Sequence, residues 1–302
     1  MLIPKNLSLC MLMVSVLVVL VACAPQENLS SQTQQARQVA EQAGWTENVV
    51  LSFENGQMIV RSNGLPKQEI LYAYQALSLL DNKTVYVVEP LAMRIRVSIP
   101  LQPRLAREKT PTRIGIIGIA INGALLYSPY DADGKTYALE ANFTRNNIPF
   151  VDDCNGHPNP FAVQYHYHGI PYCLTKIVDR PGQHSHLLGY LLDGFSIYGP
   201  QDTDGKLITP SALDECNGHF GPTPEFPSGI YHYHFTKAAP YTVPCYAGEV
   251  HLSDSPLALL VRGIDISAYW LPILLVFSLI IFFIDITTRR VKAFILRKKP
   301  NG

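Results

Sequence analysis

The stretch Gly118-Ile119-Ala120-Ile121-Asn122-Gly123-Ala124-Leu125-Leu126-Tyr127-Ser128-Pro129-Tyr130-Asp131-Ala132-Asp133-Gly134-Lys135 returns 71 residues later as Gly189 to Lys206 (GYLLDGFSIYGPQDTDGK), with no gap and eight of eighteen positions identical. The match resumes downstream. Cys154-Asn155-Gly156-His157 is answered by Cys216-Asn217-Gly218-His219, and Tyr165-His166-Tyr167-His168 by Tyr231-His232-Tyr233-His234. Each copy closes on a cysteine, Cys173 and Cys245. Two copies are too few for a solenoid, so the half-repeats 118–173 and 189–245 read as one pseudo-symmetric unit, a fused dimer.

Around this unit the pattern is that of strands. Val49 to Ser62 places Asn55-Gly56 between two apolar-alternating arms, the signature of a tight hairpin, and Met93 to Ile99 alternates with period two. No long 3.6-residue periodicity runs between Asn48 and Ser253. The expected fold class is therefore mainly β: a single loop-rich extracytoplasmic domain with internal duplication, spanning 46–250, plus one C-terminal transmembrane α-helix. The Gln- and Ser-rich segment 24–45 reads as a polar tether that can include one short helix.

The two ends give the compartment. Residues 1–22 carry Lys5 and then an apolar run of signal-peptide length, closing on Leu20-Val21-Ala22-Cys23. That ending resembles the bacterial lipobox, which makes Cys23 the expected lipid attachment. Residues 267–285 form an apolar stretch of spanning length, opened by Tyr269 and Trp270 and followed in 286–302 by six basic residues. The positive-inside rule assigns this tail to the cytoplasm and the domain to the outer side of the cytoplasmic membrane, facing the periplasm or cell surface.

Composition agrees with this division. The 302-residue chain has 24 basic and 24 acidic residues and is 47% hydrophobic, which excludes wholesale disorder and gives no basis for a nucleic-acid partner. The neutrality is a sum: 24–265 holds 17 basic and 23 acidic residues, and 286–302 holds six basic and none acidic.

The Tyr-His-Tyr-His pairs, the Cys-Asn-Gly-His lead-ins, His184-Ser185 followed by Gly189, and Asp193 to Gly199 together resemble the YHYH-domain family. Asn63-Gly64-Leu65-Pro66 and Gly118 to Gly123 are also similar to earlier segments of that family, so the resemblance runs from Val49 to Cys245. It brings no established activity with it, and the residues must carry the chemistry.

On a strand, His166 and His168 project to one face and Tyr165 and Tyr167 to the other. His157, brought near by a Cys154–Cys173 link, supplies a third imidazole. His219, His232 and His234 repeat the set. Eight of the nine histidines fall inside the duplicated region. Three neutral imidazoles suit zinc or copper, and the six are the expected metal ligands, in one shared site or two. A hydrogen-bonded His/Tyr core without metal is the competing reading. Cys154, Cys173, Cys216 and Cys245 are expected as two local disulfides in an oxidising compartment, with Cys154 and Cys216 as thiolate ligands the alternative. Asp193 replaces Asn122 of the other copy and is a candidate general base, or else the acceptor of a backbone turn. The two Asp-x-Asp-Gly-Lys segments lack the full twelve-residue calcium pattern and read as turns. No hydrolase elbow, P-loop or dinucleotide fingerprint occurs.

These readings converge on a membrane-anchored extracytoplasmic protein whose duplicated domain binds a transition metal. A metal-free envelope recognition or structural module, and a metal-dependent hydrolase or oxidase, are the alternatives.

Overall fold

The computed structural model describes residues 31–66, 74–77, 85–88, 90–141, 151–158 and 164–250. The expected signal peptide 1–22, Cys23, the spanning segment 267–285 and the tail 286–302 lie outside the described residues. Among the described residues no helix is long and apolar enough to cross a membrane. The fold is mainly β, with few and short helices.

The Asn55-Gly56 hairpin forms as the sequence predicts. Strands β1 (Val49–Glu54) and β2 (Gln57–Ser62) pair antiparallel around it. Both turn residues have positive φ, 51° and 71°, the conformation a two-residue hairpin of this hand requires. After the short pair β3 (Tyr74–Leu77) and β4 (Val85–Val88), β5 (Ile95–Pro100) completes a three-stranded sheet against β2. Its alternation is read out directly, since Ile95, Val97 and Ile99 are buried and Ser98 is exposed. Next comes β6 (Leu105–Pro111), which pairs with the last strand.

The duplicated region builds one eight-stranded sheet. Its first half contributes β7 (Ile116–Ala120), β8 (Leu125–Tyr127), β9 (Gly156–Pro158) and β10 (Tyr165–Tyr167). The second half contributes β11 (Leu187–Leu191), β12 (Ser196–Tyr198), β13 (Gly218–Gly221) and β14 (Ile230–His234), followed by β15 (Cys245–Gly248) on β6. The strand order β13-β14-β12-β11-β7-β8-β10-β9 is a palindrome of the repeat. Its centre is the antiparallel pair β7/β11, where Ile119 faces Tyr190, its own counterpart 71 residues on. The pseudo-twofold axis passes between those two residues.

The glycines of the repeat are explained at this seam. A Cβ on Gly118 would fall on the Tyr190 carbonyl oxygen, and one on Gly189 on the Ile119 carbonyl oxygen. Both β7 and β11 are buried at every position, as expected of a strand covered on two faces.

The polar segment 24–45 contains helix α1 (Ser31–Gln42), and it is packed against the domain. Ala40 and Thr33 are buried, Trp45 Nε1 donates to the Ala40 carbonyl at 2.7 Å, and Trp45 stacks on Tyr190. Among the described residues, two short helices, α2 (Ala138–Ala141) and α3 (Tyr172–Val178), and one 3-10 turn at Pro210–Ala212 complete the regular structure.

Candidate metal centre

Each Tyr-His-Tyr-His strand sends its tyrosines to one side and its histidines to the other, and both sides are buried. On the tyrosine side the two copies use the same anchors. Tyr165 OH donates to Asp152 at 2.6 Å and Tyr231 OH to Asp214 at 3.0 Å. Those carboxylates also accept the amides of Cys154 and Gly156, and of Cys216 and Gly218, respectively. The Asn between them takes a left-handed conformation, φ 59° at Asn155 and 62° at Asn217, which asparagine tolerates better than most residues. Its carbonyl receives the amide of His168 or His234 at 2.9 Å. The Cys-Asn-Gly-His motif is thus an Asp-capped turn that locks the histidine strand in register. Neither Asp152 nor Asp214 was singled out from the sequence, although both stand two residues before the first cysteine of their copy.

The third histidine arrives by strand pairing: His157 lies directly across from His166, and His219 from His232. Disulfides Cys154–Cys173 and Cys216–Cys245 then close the loops behind each pair, so none of these cysteines is a thiolate. The histidines gather in two clusters, one on each outer wing of the sheet.

In the first cluster His157, His166 and His168 are all buried, and their ligand-capable nitrogens lie within 4.8 Å of one another. His166 and His168 oppose their Nε2 atoms at 3.1 Å. In the second, the Nε2 atoms of His219, His232 and His234 form a triangle with edges of 3.1, 3.2 and 3.0 Å. Three nitrogens bound tetrahedrally to one zinc at about 2.0–2.1 Å stand about 3.3 Å apart, so the triangle fits a single ion of that size.

The hydrogen bonds behind the rings fix the tautomers. A carbonyl only accepts, so a ring nitrogen bonded to one must carry the proton. His166 Nδ1–H donates to Gln164 O at 3.1 Å and His168 Nδ1–H to Ser128 O at 2.9 Å. The second copy repeats this at matching positions, with His232 Nδ1–H on Ile230 O at 3.0 Å and His234 Nδ1–H on Gly199 O at 2.6 Å. In the neutral state all four Nε2 atoms are therefore unprotonated, and they face one another in pairs at 3.0–3.1 Å. Burial opposes the escape of double protonation: desolvation pushes His168 and His232 down to about 4, and His157, His166 and His234 well below the ordinary value. His219, half-buried on the edge strand, is also lowered by desolvation.

A further histidine joins the second cluster. His184 is 6% exposed, and its ring centre lies 5.4 Å from that of His232 and 5.2 Å from that of His234. From the sequence it counted only as part of a family-like segment.

Asp193 is fully buried and belongs to the tyrosine side. Its oxygens accept from Tyr233 OH at 2.5 Å, Gly248 N at 3.0 Å and Phe195 N at 3.2 Å. Desolvation raises its carboxyl to about 6. In the first copy Asn122 meets the matching tyrosine with the opposite polarity, donating from Nδ2 to Tyr167 OH at 2.8 Å. A carboxylate is needed in the second copy because β15 brings extra donors, the amide of Gly248 to Asp193 and that of Ala247 to Tyr233 OH. The Asp-x-Asp-Gly-Lys segments are turns: Asp133 Oδ1 accepts the amides of Lys135 and Thr136, and Asp204 Oδ1 that of Lys206.

No curated protein and no solved structure matches the chain. A family-level match, described as YHYH protein, covers residues 96–207 and 202–248. It takes in both halves of the eight-stranded sheet and begins downstream of Asn63 to Pro66. With both histidine strands, both Asp-capped turns and half of its length inside that match, the chain belongs to the YHYH family.

Proposed function

We propose that this is a metal-binding protein, with one transition-metal ion in each half: His157, His166 and His168 hold the first, and His219, His232 and His234 the second. The observation that carries the reading is the facing of unprotonated Nε2 atoms at 3.0–3.1 Å, with every Nδ1–H behind them committed to a carbonyl. Two acceptors at that distance repel unless a cation lies between them. A metal ligand that donates its other ring nitrogen to a carbonyl is the usual second-layer arrangement of a histidine metal site. A metal-free core of the same shape leaves both repulsions standing in a buried setting, where they cost most.

An all-imidazole donor set of this kind suits zinc or copper. The domain is further proposed to act on the outer side of the cytoplasmic membrane, held by the lipid on Cys23 and by the segment 267–285. Its oxidised cysteines fit that compartment.

X-ray absorption on the metal-loaded full chain tests the ligand set. A shell of nitrogen scatterers alone at about 2.0–2.1 Å is expected. A sulfur shell at about 2.3 Å, or no bound metal, would overturn the assignment.

A further inference from the structure

We propose that His184 is a fourth ligand in the second half, so that the two centres are unequal: four imidazoles on one ion and three on the other. This rests on the reading that the clusters hold metal, and adds which half holds it harder.

His184 has the same wiring as the other ligands. Its Nδ1–H donates to the Ser185 carbonyl at 2.7 Å, which leaves Nε2 as a lone pair. That Nε2 is buried and has no hydrogen-bond partner among the described residues, and a ring nitrogen of His184 lies within 4.8 Å of ligand-capable nitrogens of His232 and His234. A buried imidazole acceptor with no donor, beside two others of the same kind, is what a shared cation satisfies.

The ring is also held in place. Ser185 Oγ donates to Asp179 at 2.9 Å and accepts the Gln201 amide at 3.0 Å, and Asp179 takes the His186 amide at 2.8 Å. The Asp202–Gly205 turn closes against the other side of this loop, where a Cβ on Gly205 would fall on Gly182. Gly199, whose carbonyl orients His234, has no room for a side chain because Ser185 packs on it. One loop therefore sets both His184 and the backing of His234.

The first half has no counterpart. Five residues before the seam glycine, where the second copy has His184, the first has Arg113, and it is exposed. A four-ligand set would be closed, whereas three ligands would leave one coordination position not filled by histidine in the first half.

The test is a zinc titration of the metal-stripped full chain against a chromogenic chelator at neutral pH. The wild type is expected to show two classes of site, one ion each. His184→Ala and His184→Asn should each weaken the tighter class at least about 10-fold and leave the looser one unchanged, the intact loose site showing that the variants are folded. His157→Ala should abolish the looser class alone. If both His184 variants leave the tighter class unaltered, or weaken the looser one instead, the fourth-ligand assignment fails while the metal reading stands. A wild-type chain that takes up no zinc defeats the metal reading itself.

Discussion

Whether a buried histidine is core or ligand is decided by which of its nitrogens has a partner. At His166, His168, His232 and His234 the Nδ1 side is satisfied by carbonyls and the Nε2 side meets another acceptor. The metal-free protein should pay for this in acid. Above pH 6.5 these rings are neutral in both the folded and unfolded chain; below it only the unfolded chain takes up protons readily, so stability falls from about pH 6.5 down to about pH 4, where His168 and His232 titrate in the folded state. Asp193, raised to about 6, works in the opposite direction, since its contribution is present below about pH 3.8 and is lost as pH rises through 6. Asp152 is raised by desolvation as well, and two raised carboxyls against six depressed histidines leave the net sign unchanged, so the urea midpoint of metal-free protein should be lower at pH 5 than at pH 7.5. Asp193→Asn puts an amide against the Gly248 and Tyr233 donors and should cost about 1–3 kcal/mol in a denaturant titration without altering metal content.

At the scale of elements, the seam and the turns carry the pseudo-symmetry. Gly118→Ala and Gly189→Ala press a methyl group onto the backbone of the facing strand, which cannot retreat without parting β7 from β11. Each should destabilise by about 3 kcal/mol or more, read as a thermal shift. The disulfides predict blocked thiols: alkylation of native protein should find none of Cys154, Cys173, Cys216 and Cys245, and all four after reduction. The hairpin, β5, the duplication and the six repeated histidines were legible because each is a local pattern or a repeated one. The polar sequence of helix α1 reads as part of a tether; what holds the helix is the long-range burial of Ala40 and Thr33, which no window of that segment reveals. His184 escaped for a related reason. It stands in a loop with no periodicity, held through its neighbour Ser185, which donates to Asp179 and accepts the Gln201 amide, and its copy-one position is an arginine.

The molecule as a whole is a fused dimer in which most of the scaffold keeps the symmetry and two positions depart from it. Asp152 and Asp214, the carbonyl backings of the rings and the seam glycines match across the two halves, while His184 and Asp193 do not. Sequence alone left open whether the histidines share one centre on the axis. The strand order answers this, since the axis runs through β7/β11 and each histidine strand lies beyond its own hairpin. For the proposed topology, a reporter fused after Gly302 should behave as cytoplasmic and one placed at 251 as outside; the reverse would refute the orientation. The central claim is that the two histidine clusters hold metal, and it is tested most directly by the metal-to-protein ratio of the purified full chain measured beside the double variant His168→Ala/His234→Ala. Two ions of zinc or copper per wild-type chain and none in the folded double variant is the predicted result. A wild-type chain with no metal and none restorable, or a double variant that keeps its full complement, would contradict it.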